Sequence, residues 1–140
     1  MINDDLKLTG AVSIALNGEV VQEIPNLVVT AGKEWVADRM NDANTVMTHM
    51  AVGTSSTAAA AGQTALVSES ARGALTSTTV TNNEIAYVET FAAGTATAAL
   101  TEAGIFDASS GGDMLCRTVF SVVNKGANDS MTITWTITVS

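Results

Sequence analysis

The sequence predicts an all-β fold, an antiparallel β-sandwich or jelly roll with one short helix, and three observations lead there. Met131, Ile133, Trp135, Ile137 and Val139 alternate strictly with Thr132, Thr134, Thr136 and Thr138, which is the period-two pattern of a half-buried strand. Seven or eight such short runs follow one another at regular spacing with turn residues between them. The composition is Thr- and Ala-rich, about 20 of each, with only 4% aromatic and 14% charged residues. Thr suits the wet face of a sheet, because its branched carbon favours extended backbone while its hydroxyl tolerates water.

Taken in order, Leu6, Leu8, Val12, Ile14 and Leu16 alternate and end at Asn17-Gly18, ahead of a second run over 19–24. Asn-Gly between two such runs specifies a hairpin, since both central residues of a type I′ turn need positive φ. Pro25-Asn26 ends that second strand. From Thr30 to Met40 the period changes, with Trp35, Val36, Arg39 and Met40 at helical spacing and Thr30 placed to act as N-cap. Residues 46–52 return to strand, and the Gly, Ala, Ser and Thr run that follows to Thr64 reads as an extended loop. Further strands are expected at 75–81 and 84–91 about an Asn82-Asn83 turn, then at 98–106 and 114–122 on either side of Ser109–Asp113. Lys125–Asp129 turns the chain into the last strand. There is no internal repeat and no linker, so residues 1–140 are read as a single sandwich domain.

Charge and cysteine usage narrow the function. The net charge is −8, and the six basic residues (Lys7, Lys33, Arg39, Arg72, Arg117 and Lys125) are scattered. Nucleic acid is therefore not an expected partner, because affinity for a polyanion comes mainly from clustered Lys and Arg. The acidic N-terminus does not resemble a signal peptide, and no apolar run approaches the roughly 18 residues of a membrane span. No membrane partner is expected, and synthesis is expected in a cytoplasm. Cys116 is the only cysteine, which removes any internal disulfide framework and fits a buried small hydrophobe.

Motifs that carry chemistry fail on inspection. Gly32-Lys33 lacks the first phosphate-loop glycine, since position 27 is Leu27, and Glu34 stands where Ser or Thr would be needed. Ser110-Gly111-Gly112 lacks the context of a nucleophile elbow. His49 is the only histidine, in a strand pattern between Thr48 and Met50, and no flanking signature pairs it with Cys116. Asn41–Asn44 and Asn128-Asp129 read as turns, because neither has the oxygen spacing of a Ca²⁺ loop. Glu69 and Arg72 can pair across one helical turn as a solvated ion pair, or anchor a loop at an interface. Trp135, in phase with Ile133 and Ile137, faces the core rather than a sugar. No catalytic, cofactor-binding or metal residue is assigned, and no cofactor or small-molecule substrate is expected.

One pattern does carry a likeness. Met50-Ala51-Val52-Gly53-Thr54, the Ala-rich stretch after it, and Thr64-Ala65-Leu66 with Glu69 and Arg72 resemble small virion structural proteins of tailed bacteriophages. So do 100–106, Leu115-Cys116-Arg117, and 124–135, so that the likeness runs from Met50 to the end. Within that group the chain most resembles a jelly-roll capsid cement (decoration) protein. The resemblance implies a non-enzymatic virion protein on the capsid exterior, with the major capsid protein as partner, that reinforces the head. Residues 53–65 and 108–113, rich in small side chains and unlikely to pack a core, are the expected contact loops, free to order against a partner. Exposed strand edges imply a homo-oligomer, most simply a dimer. A tail-fibre or baseplate module is the alternative, and an enzyme with an unrecognised site is a third class.

Overall fold

The computed structural model describes residues 6–140. Among these described residues, ten strands and one helix follow in the order β1 (Leu8–Leu16), β2 (Glu19–Pro25), β3 (Leu27–Val28), α1 (Thr30–Met40), β4 (His49–Gly53), β5 (Glu69–Ala74), β6 (Ser77–Thr81), β7 (Glu84–Phe91), β8 (Ala98–Phe106), β9 (Met114–Lys125) and β10 (Met131–Val139). They form two five-stranded sheets, β2-β1-β10-β7-β6 and β3-β9-β8-β4-β5, in which all the strand pairs are antiparallel. The fold is an antiparallel β-sandwich with one short helix.

The alternation in β10 does what a period of two dictates. Met131, Ile133, Trp135 and Ile137 are buried, and the four threonines between them face outward and stay half-buried. Because β10 pairs with β1 on one side and β7 on the other, it is the middle strand of its sheet. Its apolar row meets Met50, Val52, Leu100, Ile105 and Phe120 of the second sheet in one core. Val139, which continues the alternation, is 38% exposed at the strand's end.

The turns follow their residues. Asn17 and Gly18 have φ of 53° and 82°, the left-handed pair a two-residue hairpin requires. Asn82 takes φ 52° in the β6–β7 turn, and Gly111 and Gly112 take 61° and 76° between β8 and β9. Asn17 also donates from Nδ2 to Asp129 at 2.9 Å, joining the first hairpin turn to the turn before β10. That bond, with the Gly126 N–H, lowers the pKa of Asp129 below the ordinary carboxylate value.

Three expectations need correction. The residue before α1 that acts as N-cap is Val29, not Thr30, and no side chain caps the helix. The Thr30 N–H donates instead to the Ala61 carbonyl at 2.8 Å, so a loop carbonyl satisfies a donor that a side chain usually would. Residues 69–74 are strand β5, not a helical turn, and Leu27–Val28 adds another strand that composition alone did not mark. The helix packs on β9, with Gly32 so close that an added Cβ would lie 2.0 Å from the Leu115 carbonyl oxygen. Trp35 and Val36 pack against the main core from there.

Candidate functional site

The outward faces of the two sheets differ. The first sheet presents Thr9, Ala11, Ser13 and Ala15 of β1 beside Thr138, Thr136, Thr134 and Thr132 of β10, an uncovered surface of short side chains. On the second sheet, register places Arg72, Ala51, Gly104 and Arg117 in one row across β5, β4, β8 and β9. The two arginines each reach up from that row and hold a loop.

Arg117 is fully buried, as is Glu102, two residues from its cross-strand partner Gly104. Arg117 Nε and Nη2 both donate to Glu102 Oε1, at 3.1 and 3.0 Å. The same carboxylate accepts the backbone N–H groups of Val67 (3.0 Å), Ser68 (2.8 Å) and Ser55 (3.1 Å). Arg117 Nη1 donates to the Thr57 carbonyl at 2.9 Å and Gln63 Oε1 at 3.1 Å. A buried charge pair is tolerable only when its remaining donors and acceptors are satisfied, and here the loop supplies those partners. Residues 54–68 are thereby fastened across the outer face of the second sheet.

Packing completes the attachment. Leu66 is buried with Val29, Ala51, Phe106 and Met114 in a second, smaller apolar cluster. Gly104 leaves room for it, since a Cβ there would stand 3.0 Å from Leu66 Cδ2. At Gly53 a Cβ would fall 2.3 Å from the Ser68 carbonyl oxygen and 2.6 Å from Glu102 Oε2, so the loop can cross this closely only over a residue without a side chain.

Arg72 holds the second loop. Its guanidinium grips Glu69 bidentately, at 3.0 and 2.7 Å, while Nη1 donates to the carbonyls of Ala108 (2.9 Å) and Gly111 (2.8 Å). It also lies 3.8 Å above the centre of the Phe106 ring, a stacking geometry that favours a cation. With its side chain only 8% exposed, this is an anchor and not a solvated surface pair. Of the two readings the sequence allowed, the loop anchor describes the geometry, within one chain.

Both expected contact loops therefore cover the same face of the same sheet. The sequence marked them as free to order against a partner; within the single chain the buried ion pair and Arg72 already hold them. Their tips remain open, with Ser56 to Ala58, Ala60 to Gly62, Thr64, Ala65 and Ser109 to Gly112 exposed. The surface they form is uncharged between Gly53 and Ser68.

The other residues singled out in the sequence lie apart from this surface or serve the fold. His49 opens β4, its Nδ1 2.7 Å from Thr48 Oγ1. Cys116 is buried on β9, and burial pushes its thiol well above the ordinary range. Since β8 separates β4 from β9, His49 and Cys116 are not neighbours in the sheet. Trp35 donates to the Thr45 carbonyl at 2.8 Å. Asp38, Arg39, Asp42 and Asn44 bond among themselves at the end of α1. No cluster of three or more His, Cys, Asp or Glu side chains that could hold a metal ion occurs among the described residues. No helix among the described residues is long and apolar enough to cross a membrane.

The buried charges were missed by sequence reasoning. A signal existed, because Glu102 is the one charge in β8 and Arg117 the one charge in β9 ahead of its last residue, opposite in sign and set among apolar neighbours. Lys125 is a third: it is buried, and Nζ donates to the carbonyls of Ala92 (3.0 Å) and Thr95 (2.5 Å), fixing the loop between β7 and β8.

Comparison of the chain with protein-family models, with curated proteins and with solved structures returns no match.

Proposed function

We propose that the protein is a non-enzymatic capsid cement protein of a tailed phage, which binds the outer surface of the major capsid protein lattice and strengthens the head. The observation that supports this reading most is the pair of small-residue loops held side by side over one sheet by Arg117–Glu102 and Arg72. Loops ordered before contact lose little conformational entropy on docking, so more of the interface energy appears as affinity. Small uncharged tips can lie close against another protein without stranding a charge in the interface.

Reinforcement follows from multivalency. A copy that touches two neighbouring capsid subunits holds each at high effective concentration relative to the other, and both contacts must fail before the subunits part. The test compares heads with and without the protein. Complete heads should survive heating and osmotic shock that open depleted heads, and re-addition of the protein should restore resistance. Equal survival refutes cementing. Labelling of the protein in intact virions should mark the head, and label confined to the tail replaces this reading with a tail-fibre or baseplate module.

A further inference from the structure

Among the described residues the two sheets have four edge strands, β2, β6, β3 and β5, and three are protected against pairing with another strand. β2 carries Glu19, Glu23 and Pro25 and meets β1 through a register shift at Ile14/Ala15. β3 is two residues long and runs into α1. β5 carries Glu69 and Arg72, with a register shift opposite it at Val52/Gly53. Charges, proline, bulges and shortness are the usual defences of an edge. β6, Ser77-Thr78-Thr79-Val80-Thr81, has none of these, and all five residues are exposed.

The hydrogen-bond alternation shows which groups face outward. The Val139 N–H donates to the Asn83 carbonyl at 2.9 Å, and Ile137 stands opposite Ile85. Odd-numbered residues of β7 thus turn their backbone groups to β10, and Glu84, Ala86 and Val88 turn theirs to β6. Their partners Thr81, Thr79 and Ser77 face β7. Thr78 and Val80 therefore direct N–H and C=O to the open edge.

We propose that this edge pairs with the same edge of a second copy, antiparallel about a two-fold axis at Thr79. Thr78 and the partner's Val80 form one hydrogen-bonded pair, Val80 and the partner's Thr78 the other, which gives four backbone bonds. Thr79 faces the partner's Thr79 between them as a non-hydrogen-bonded pair. The observation that selects a second copy is charge: each chain carries −8, yet no charged residue occurs from Gly73 to Asn83, so pairing along β6 sets no like charges opposite each other. Val80, 68% exposed in the single chain, gains a neighbour on its own face. The two first sheets become one ten-stranded sheet, and the loops over the second sheets remain open. The inference is independent of capsid binding.

Two substitutions at one position test it. Non-hydrogen-bonded partners have Cα atoms about 4.5 Å apart, inside the roughly 4.4–6.8 Å range of a disulfide. Thr79→Cys should therefore form a disulfide-linked dimer on mild oxidation, whereas Val122→Cys, exposed on β9, and the wild type with its buried Cys116 should not. Thr79→Lys and Thr79→Glu should each weaken self-association about tenfold in sedimentation equilibrium, and an equimolar mixture of the two should recover it. Circular dichroism verifies that each variant is folded. A wild type that sediments as a monomer at submillimolar concentration, cross-linking of Val122→Cys equal to that of Thr79→Cys, or charge variants that associate as strongly as wild type would each overturn the proposal.

Discussion

Replacing Glu102 with Gln is the sharpest probe of the loop attachment. The substitution keeps the side chain's shape and removes its charge. Glu102 accepts five hydrogen bonds, all from N–H donors, and one of its two oxygens becomes an NH₂ group that can accept none. Whichever way the new amide turns, it meets either the Arg117 guanidinium or the N–H groups of Ser55 and Ser68. Arg117 then lies fully buried without a counter-charge. Breaking a buried pair by removing one partner costs about 3–5 kcal/mol, a large share of the roughly 5–15 kcal/mol that holds a domain folded. Urea titration of the two proteins measures the difference directly. The double variant Glu102→Leu/Arg117→Met should recover much of the global stability, because an apolar pair avoids the desolvation cost. It should nevertheless leave the amides of Ser55, Val67 and Ser68 unprotected in hydrogen exchange. A Glu102→Gln variant within about 1 kcal/mol of wild type would show that the pair is solvated and the reasoning wrong.

Four further outcomes are expected. Trp135→Ala should cost about 3–5 kcal/mol by opening a cavity in the middle of the first sheet, while Trp135→Phe should cost less, since the buried indole Nε1 has no hydrogen-bond partner to lose; chemical denaturation measures both. Gly32→Ala should destabilise by about 1–3 kcal/mol despite alanine's better helix propensity, because the new Cβ meets a backbone carbonyl that cannot turn aside; a gain in melting temperature would refute that contact. Arg72→Ala should cost about 2 kcal/mol through loss of hydrogen bonds to a charged group and should make 108–113 the first site of limited proteolysis. Burial, with a smaller contribution from Cys116, raises Tyr87 from 10.0 to about 12; the unfolded chain gives up its proton first, so stability is unaffected below pH 10 and falls between about pH 10 and 12. Phenolate absorbance during alkaline titration reads this, and a Tyr87 that titrates normally without unfolding would contradict it.

The parts of the fold that could be read from the sequence are those where one residue's local preference and its tertiary role agree. β10 alternates because one of its faces is core and the other water, and Asn17-Gly18 turns the chain as a free hairpin would. β5 was hidden because Glu69-Ser70-Ala71-Arg72-Gly73-Ala74 contains no β-branched or aromatic residue. It is extended because it pairs with β4, and its small residues answer to neighbours, as at Gly73, where a Cβ would lie 2.1 Å from Glu89 Oε2. The loop anchor was half legible. Glu69 and Arg72 stood out by spacing, but their partners at Ala108 and Gly111 are about forty positions away along the chain, beyond any local pattern. Arg117 looked like one of six scattered cations; only the pairing of β8 with β9 and the return of 54–68 over them make it internal.

The position of β10 also governs when the molecule can exist. All the strands of the second sheet lie before residue 126, so that layer takes no strand from the last segment. The first sheet does, because its middle strand comes last. Until 131–139 emerge, the β1–β2 and β6–β7 hairpins have nothing between them, and the inner edges of β1 and β7 are open to strands of other chains. Closure then joins two separate hairpins in one step, with Trp135 arriving at the centre of a core that had no middle. A chain truncated before Met131 and released from the ribosome should thus leave the first sheet without amide protection, and the finished sandwich should appear only when β10 is present.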